Sequence, residues 1–95
     1  MIRLITAAIL TLTEVAFAAD ASPPGAASCS GCHPASKSVV TPVPRLNAEN
    51  ASRIVTTMQE FRSSQRPATV MDRIAKGFTD DEIKAIAVWY AAQKD

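Results

Sequence analysis

Apolar residues are distributed along the chain in two distinct ways. At the N-terminus they form a dense block: 13 of the first 18 residues are apolar, against 32 of the remaining 77. The block opens on Met1-Ile2-Arg3, continues through Leu4 to Leu12 and closes on the small-x-small sequence Ala16-Phe17-Ala18. A short positive start, an apolar stretch and a small-residue exit are the parts of a cleaved export signal. The apolar stretch is about half the ~20 residues that a membrane-spanning helix requires, so stable membrane insertion is not expected. The reading is an export signal over residues 1–18 and one small domain over 19–95, placed in the periplasm.

After the signal the spacing becomes helical. Pro23-Pro24-Gly25 precedes a short helix that is expected to start near Pro24 and run into Cys29, since proline is tolerated in a first turn. From Pro34 to Pro44 there are three prolines and no period, which reads as a loop. Asn47 or Asn50 then caps a helix extending to about Ser63. Its stripe of Ala51, Ile54, Val55, Met58 and Phe61 follows the i, i+3, i+4, i+7 template. Ser63 to Pro67 breaks it. A shorter segment from Thr69 to Lys76 is expected to stop at Gly77, a residue suited to the position after a helix end. Thr79-Asp80-Asp81-Glu82 is a capping box with acidic residues at the positive end of the helix dipole. Ile83, Ile86, Ala87 and Tyr90 make the buried stripe of that last helix, with Trp89 beside it. No segment alternates with period two. The predicted class is all-α, with three or four helices.

A domain of this size buries only ~60% of its unfolded surface and usually leans on a disulfide, a metal or a cofactor. Large apolar side chains are few here and alanines many, so something besides protein is expected to complete the core. Charge narrows the function further. The formal net charge is +1, and the leaning of the middle stretch toward arginine is best read as a solvated face or a modest docking patch for an acidic partner. Nucleic-acid binding needs a concentrated basic field, and there is none.

The candidate chemistry lies in one pentapeptide. The chain has one histidine and two cysteines, and all three fall in Cys29-Ser30-Gly31-Cys32-His33. This C-x-x-C-H spacing is that of c-type haem attachment. Two thiols add across the haem vinyl groups, and the next residue offers a neutral imidazole to the iron. A tetrahedral zinc site would need a fourth ligand and a second cluster. A thioredoxin-type dithiol would need a βαβ scaffold, and a plain disulfide would explain neither the histidine nor the sparse core. With no second histidine, the other axial ligand is Met58 or Met71. Met58 sits on a buried helical stripe and reads as core. Met71 follows the Pro67 break, where irregular backbone can aim a side chain across the haem, and is the expected ligand. The imidazole's other nitrogen needs an acceptor, usually a carbonyl or a carboxylate. The Pro42-Val43-Pro44 turn supplies one, with the Pro44 carbonyl as the expected partner.

On these residues the chain resembles the class I cytochromes c, from Cys29 to about Lys94. Pro44-Arg45-Leu46 matches the family's proline-x-leucine after the haem motif, which implies that Leu46 packs on the haem. Met71 ahead of Thr79-Asp80-Asp81-Glu82 matches the ligand methionine ahead of a capped C-terminal helix. Ile86-Ala87-Val88-Trp89-Tyr90 matches that helix's apolar-Ala-x-aromatic stretch. More narrowly, the run from Arg66 to Gln93 is similar to the haem subunit of flavocytochrome c sulfide dehydrogenases and to related dihaem cytochromes c. One position departs from the family: Gly25 stands where a bulky apolar residue usually packs on the C-terminal aromatic. The contact to Trp89 is therefore expected to be weak or differently made, and a partner protein over that end is one compensation.

The resemblance implies one covalent haem c on Cys29 and Cys32, axial ligands His33 and Met71, and single-electron transfer with no substrate chemistry. As the cytochrome subunit of a sulfide dehydrogenase, the chain would accept electrons from an FAD-containing flavoprotein. As a free-standing periplasmic carrier it would use the same residues. A haem-based ligand sensor would need a weak or absent Met71–iron bond, and a dithiol redox protein would need no haem at all.

Overall fold

The computed structural model describes residues 21–94; the expected export signal lies outside the described residues. Four helices follow one another: α1 (Ala26–Cys29), α2 (Ala51–Arg62), α3 (Met71–Ala75) and α4 (Asp80–Ala91). Among the described residues there is no strand, and the fold is the small all-α one expected.

Each start has a local cause, and the first corrects the reading of Pro24 as a helix start. Pro23 to Ala26 instead form a turn closed by the Ala26 amide on the Pro23 carbonyl at 3.1 Å, with Gly25 at φ 86°, ψ −17°. Those are the angles of the third residue of a type II turn, with proline second. The helix therefore begins only at Ala26. Of the two asparagine caps weighed for α2, Asn50 is the one used, its side chain accepting the Arg53 amide at 3.2 Å. Ser64, at φ 61°, turns the chain out of α2. The capping box of α4 is complete: Thr79 Oγ1 accepts the Glu82 amide and Glu82 Oε1 accepts the Thr79 amide.

Helix α3 stops just before Gly77, as expected, though without the left-handed turn that glycine permits. Helix α3 ends on Lys76 in ordinary right-handed geometry, and Gly77 closes a turn onto the Ile74 carbonyl at 3.0 Å without entering the left-handed region. The glycine that needs positive φ is Gly25.

The core is small. Ala26, Ile54, Ile86, Ala87 and Tyr90 form one buried cluster, with Leu46, Ala51, Val55, Met58, Phe78 and Trp89 partly buried against it. The α4 stripe is buried as read, Ile83 included, whereas α2 buries only Ile54 of its five stripe residues. Helix α2 lies against both α3 and α4. Arg62 ties its C-terminal end to the start of α4, its guanidinium donating to the Phe78 carbonyl at 3.4 Å and pairing with Asp80.

Helix α1 meets α4 through Tyr90, which is 1% exposed. Its hydroxyl donates to the Ala26 carbonyl at 2.6 Å. The family position at Gly25 is filled differently, as expected: a methyl placed there would come within 2.5 Å of the Phe78 ring and 3.6 Å of Ile86. Phe78 takes the space that a side chain at Gly25 would occupy, and Tyr90 bonds α1 through its hydroxyl. The Trp89 ring stands edge-on to Tyr90, with centroids 4.8 Å apart.

Candidate functional site

The backbone after α1 keeps winding. The amide of Gly31 bonds the Ser28 carbonyl, and those of Cys32 and His33 both bond the Cys29 carbonyl, at 3.2 and 2.9 Å. In such a winding backbone, residues three and four apart share a face. Cys32 and His33 are three and four residues after Cys29, so this local winding sets how the two thiols and the imidazole follow one another.

The two sulfurs sit in different surroundings. Cys29 is half-buried and its Sγ donates to the Gly25 carbonyl at 3.6 Å, whereas Cys32 is exposed. Burial pushes the Cys29 thiol above its ordinary pKa, and its own backbone and the neighbouring Tyr90 and Ser28 side chains partly offset that. Both thiols are free.

His33 Nδ1 donates to the Pro44 carbonyl at 2.6 Å. A carbonyl can only accept, so Nδ1 carries a proton, and in the neutral ring Nε2 is then the nitrogen with a lone pair to offer a metal. A second bond, Arg45 Nε to the Ala35 carbonyl at 2.9 Å, closes the same loop one step further out. Together they convert the proline-rich Pro34–Pro44 segment into a brace for one ring nitrogen.

Leu46 is half-buried against the core cluster, and so is Met58 on α2. Met71 opens α3, half-buried and outside that cluster. Thus Met58 packs against the core cluster, while Met71 stands outside it. Among the described residues no group of three or more His, Cys, Asp or Glu side chains gathers as a cation site, so the zinc reading finds no support.

The residues present fit a haem. Val39 and Val40, on the loop that follows His33, are 52% and 99% exposed, and Val70 and Ile74, flanking Met71, are 53% and 44% exposed. Apolar side chains left this open on the segments carrying the two candidate ligands suit a large, flat, apolar group. Asp72 Oδ1, next to Met71, and Trp89 Nε1 are buried without a hydrogen-bond partner. Buried polar atoms are nearly always partnered. Nothing among the described residues explains either one.

Among the described residues, four helices without a strand, C-x-x-C-H beginning on the last residue of the first helix and a histidine braced by a proline carbonyl point to one class: the chain resembles the small all-α class I cytochromes c. No family model matches the chain, and the resemblance rests on two curated relatives. The cytochrome subunit of sulfide dehydrogenase from Chlorobaculum tepidum is 35% identical over 63 residues, which are 66% of this chain and 57% of that protein. Cytochrome c-554(548) of Halomonas halodenitrificans is 28% identical over 71 residues, 70% of this chain and 86% of that one. More particularly, then, the chain resembles the sulfide dehydrogenase cytochrome subunit, of whose length it spans a little over half.

Two features of the site were not read from the residues. The Tyr90 hydroxyl lies 2.8 Å from Ser30 Oγ, inside the C-x-x-C segment, and no local pattern announces a contact across sixty positions of sequence. The type II turn at Gly25 did have a signal, Pro-Pro-Gly.

Proposed function

We propose that the chain is an exported monohaem electron carrier, with residues 1–18 removed as its export signal and 19–95 as the periplasmic haem domain. Cys29 and Cys32 hold the single haem c covalently. His33 Nε2 and Met71 Sδ are the axial ligands, and Leu46 packs on the haem. The observation that carries this reading is the His33–Pro44 hydrogen bond, which fixes the tautomer that an iron ligand needs directly after the two thiols. When bound, haem supplies a one-electron iron couple, and thioether ligation raises its potential. The protein's part is to hold the ring, set its axial field and leave no open position for a substrate.

The partner we propose is an FAD-containing flavoprotein that oxidises sulfide and passes electrons to this chain, on the likeness to the Chlorobaculum tepidum subunit. A free-standing carrier is the second reading, favoured by the fuller coverage of cytochrome c-554(548). Co-purification with a flavoprotein separates the two.

The ligand set is tested by optical spectra of the oxidised and reduced protein, with carbon monoxide added to the reduced form. A low-spin haem c spectrum with a weak far-red methionine-to-iron band and no response to carbon monoxide is expected. Met71→Ala opens the sixth position to carbon monoxide and lowers the potential, whereas Met58→Leu leaves the spectrum intact. The reverse pattern moves the ligand role to Met58. A wild-type protein that is high-spin and binds carbon monoxide overturns the carrier reading in favour of a ligand sensor.

A further inference from the structure

Tyr90 makes more of its hydroxyl than packing requires. It donates to the Ala26 carbonyl at 2.6 Å, which commits its proton. The Ser30 Oγ, 2.8 Å away, is therefore the donor of the second bond and the Tyr90 oxygen its acceptor. Ala26 opens α1 and Ser30 caps its end, so one buried hydroxyl on α4 grips the chain on both sides of Cys29.

That grip matters because α1 has little else. It has four residues and buries only Ala26, whereas isolated helices need ~12–15 residues to persist in water. The shape of the segment presenting Cys29 therefore depends on tertiary anchors. Cys32, beyond Ser30 and exposed, has no such clamp around it.

We propose that the Tyr90 hydroxyl is a positioning group for haem attachment through Cys29: as the chain closes around haem, the Ser30–Tyr90–Ala26 bonds fix the backbone that presents this thiol. The proposal rests on the reading of Cys29 and Cys32 as thioether sites. In the step concerned, the Cys29 S–H adds across a vinyl C=C. Sulfur bonds one carbon, the hydrogen ends on the other, the π bond is lost and no oxidant is needed. Tyr90 exchanges no proton or electron in this step; it contributes orientation alone.

The test follows covalent attachment to the full-length chain, reduced with a dithiol and mixed with ferrous haem, as haem that resists extraction by acidified acetone. Tyr90→Phe keeps the ring and removes the hydroxyl, and is compared in chains holding one cysteine at a time. With Cys29 alone (C32A), Y90F is expected to slow attachment about fivefold, the scale of one lost buried hydrogen bond. With Cys32 alone (C29A) it changes the rate less than about twofold. Ser30→Ala, on an exposed residue that folding tolerates, gives a smaller slowing confined to Cys29. Equal slowing at both cysteines would mean that Tyr90 merely supports folding, and no slowing at Cys29 would mean that the clamp is idle; either overturns the proposal. Extractable haem in the wild-type chain is a different failure, that of the attachment reading itself.

Discussion

Gly25→Ala tests whether the junction of α1 with the rest of the molecule is as tight as its geometry says. Two costs add at this position. The residue sits at φ 86°, where an L-side chain costs about 1–2 kcal/mol relative to glycine. The new methyl would also lie 2.5 Å from Phe78 Cε1 and 3.2 Å from Cζ, with Ile86 Cδ1 at 3.6 Å on the same side. Overpacking of this kind costs ~1–3 kcal/mol, and Phe78 is only half-buried, so its ring can move and the lower half of that range applies. The sum is about 2–4 kcal/mol. For a domain of this size each kcal/mol moves the melting temperature by ~4–8 °C, so the haem-loaded variant should melt about 10–30 °C below wild type. Circular dichroism at 222 nm measures this, with Gly77→Ala as control. Gly77 has ordinary φ and its nearest contact is the Ile74 carbonyl at 3.3 Å, so less than about 1 kcal/mol is expected there. Equal melting temperatures for the two variants would refute the type II turn and the Phe78 contact together.

Other substitutions probe other joints. Ala48 holds φ 62° while its amide bonds the Tyr90 carbonyl at 3.0 Å; Ala48→Gly should stabilise by about 0.5–1 kcal/mol in guanidinium unfolding, because the left-handed penalty is removed. The Arg62 guanidinium beside Asp80 holds that carboxyl below the usual range, and the Thr79 backbone and hydroxyl do the same for Glu82. A lowered native pKa gives stability that is fully present above the ordinary carboxylate range, near pH ~4, and is lost as pH falls through the native value. Asp80→Asn should therefore flatten the acid limb of the stability curve, and an unchanged acid limb would show that the Arg62–Asp80 pair contributes nothing. The chain without haem should be largely unfolded by circular dichroism, since so few large side chains are fully buried.

What could be read along the chain was mostly local. The capping box at Thr79, the buried stripe of α4 and the break after Ser63 depend on residues within one or two turns, and all are found where expected. Residue preference alone is a weaker guide. Pro24 was assigned by it, yet Pro-Pro-Gly closed a turn before α1 could begin; α3 does stop before Gly77, but in right-handed geometry that leaves the glycine nothing special to do. For the candidate site, Cys29, Cys32 and His33 lie within five residues, so their spacing is legible in the sequence itself. The proline carbonyl was legible only because proline marks turns. The Tyr90 contact to Ser30 pairs residues at opposite ends of the domain and left no periodic trace.

This division bears on how the protein becomes functional. Helix α2 packs on α3 and α4, which secures the Met71 side of the molecule by protein contacts. The His33 side hangs on less: a four-residue helix, one buried alanine, the Tyr90 hydroxyl and two bonds across a proline-rich loop. A cofactor covalently joined at Cys29 and Cys32 and ligated from both sides would supply the link that the polypeptide lacks. Its binding energy would then count directly as folding energy, as in small metal-dependent domains. On this view the polar anchors around α1 have a division of labour. The Gly25 turn and Ala26 set where the segment sits, while the Ser30–Tyr90–Ala26 bonds set its shape for the moment of attachment, after which the thioether itself makes that shape permanent.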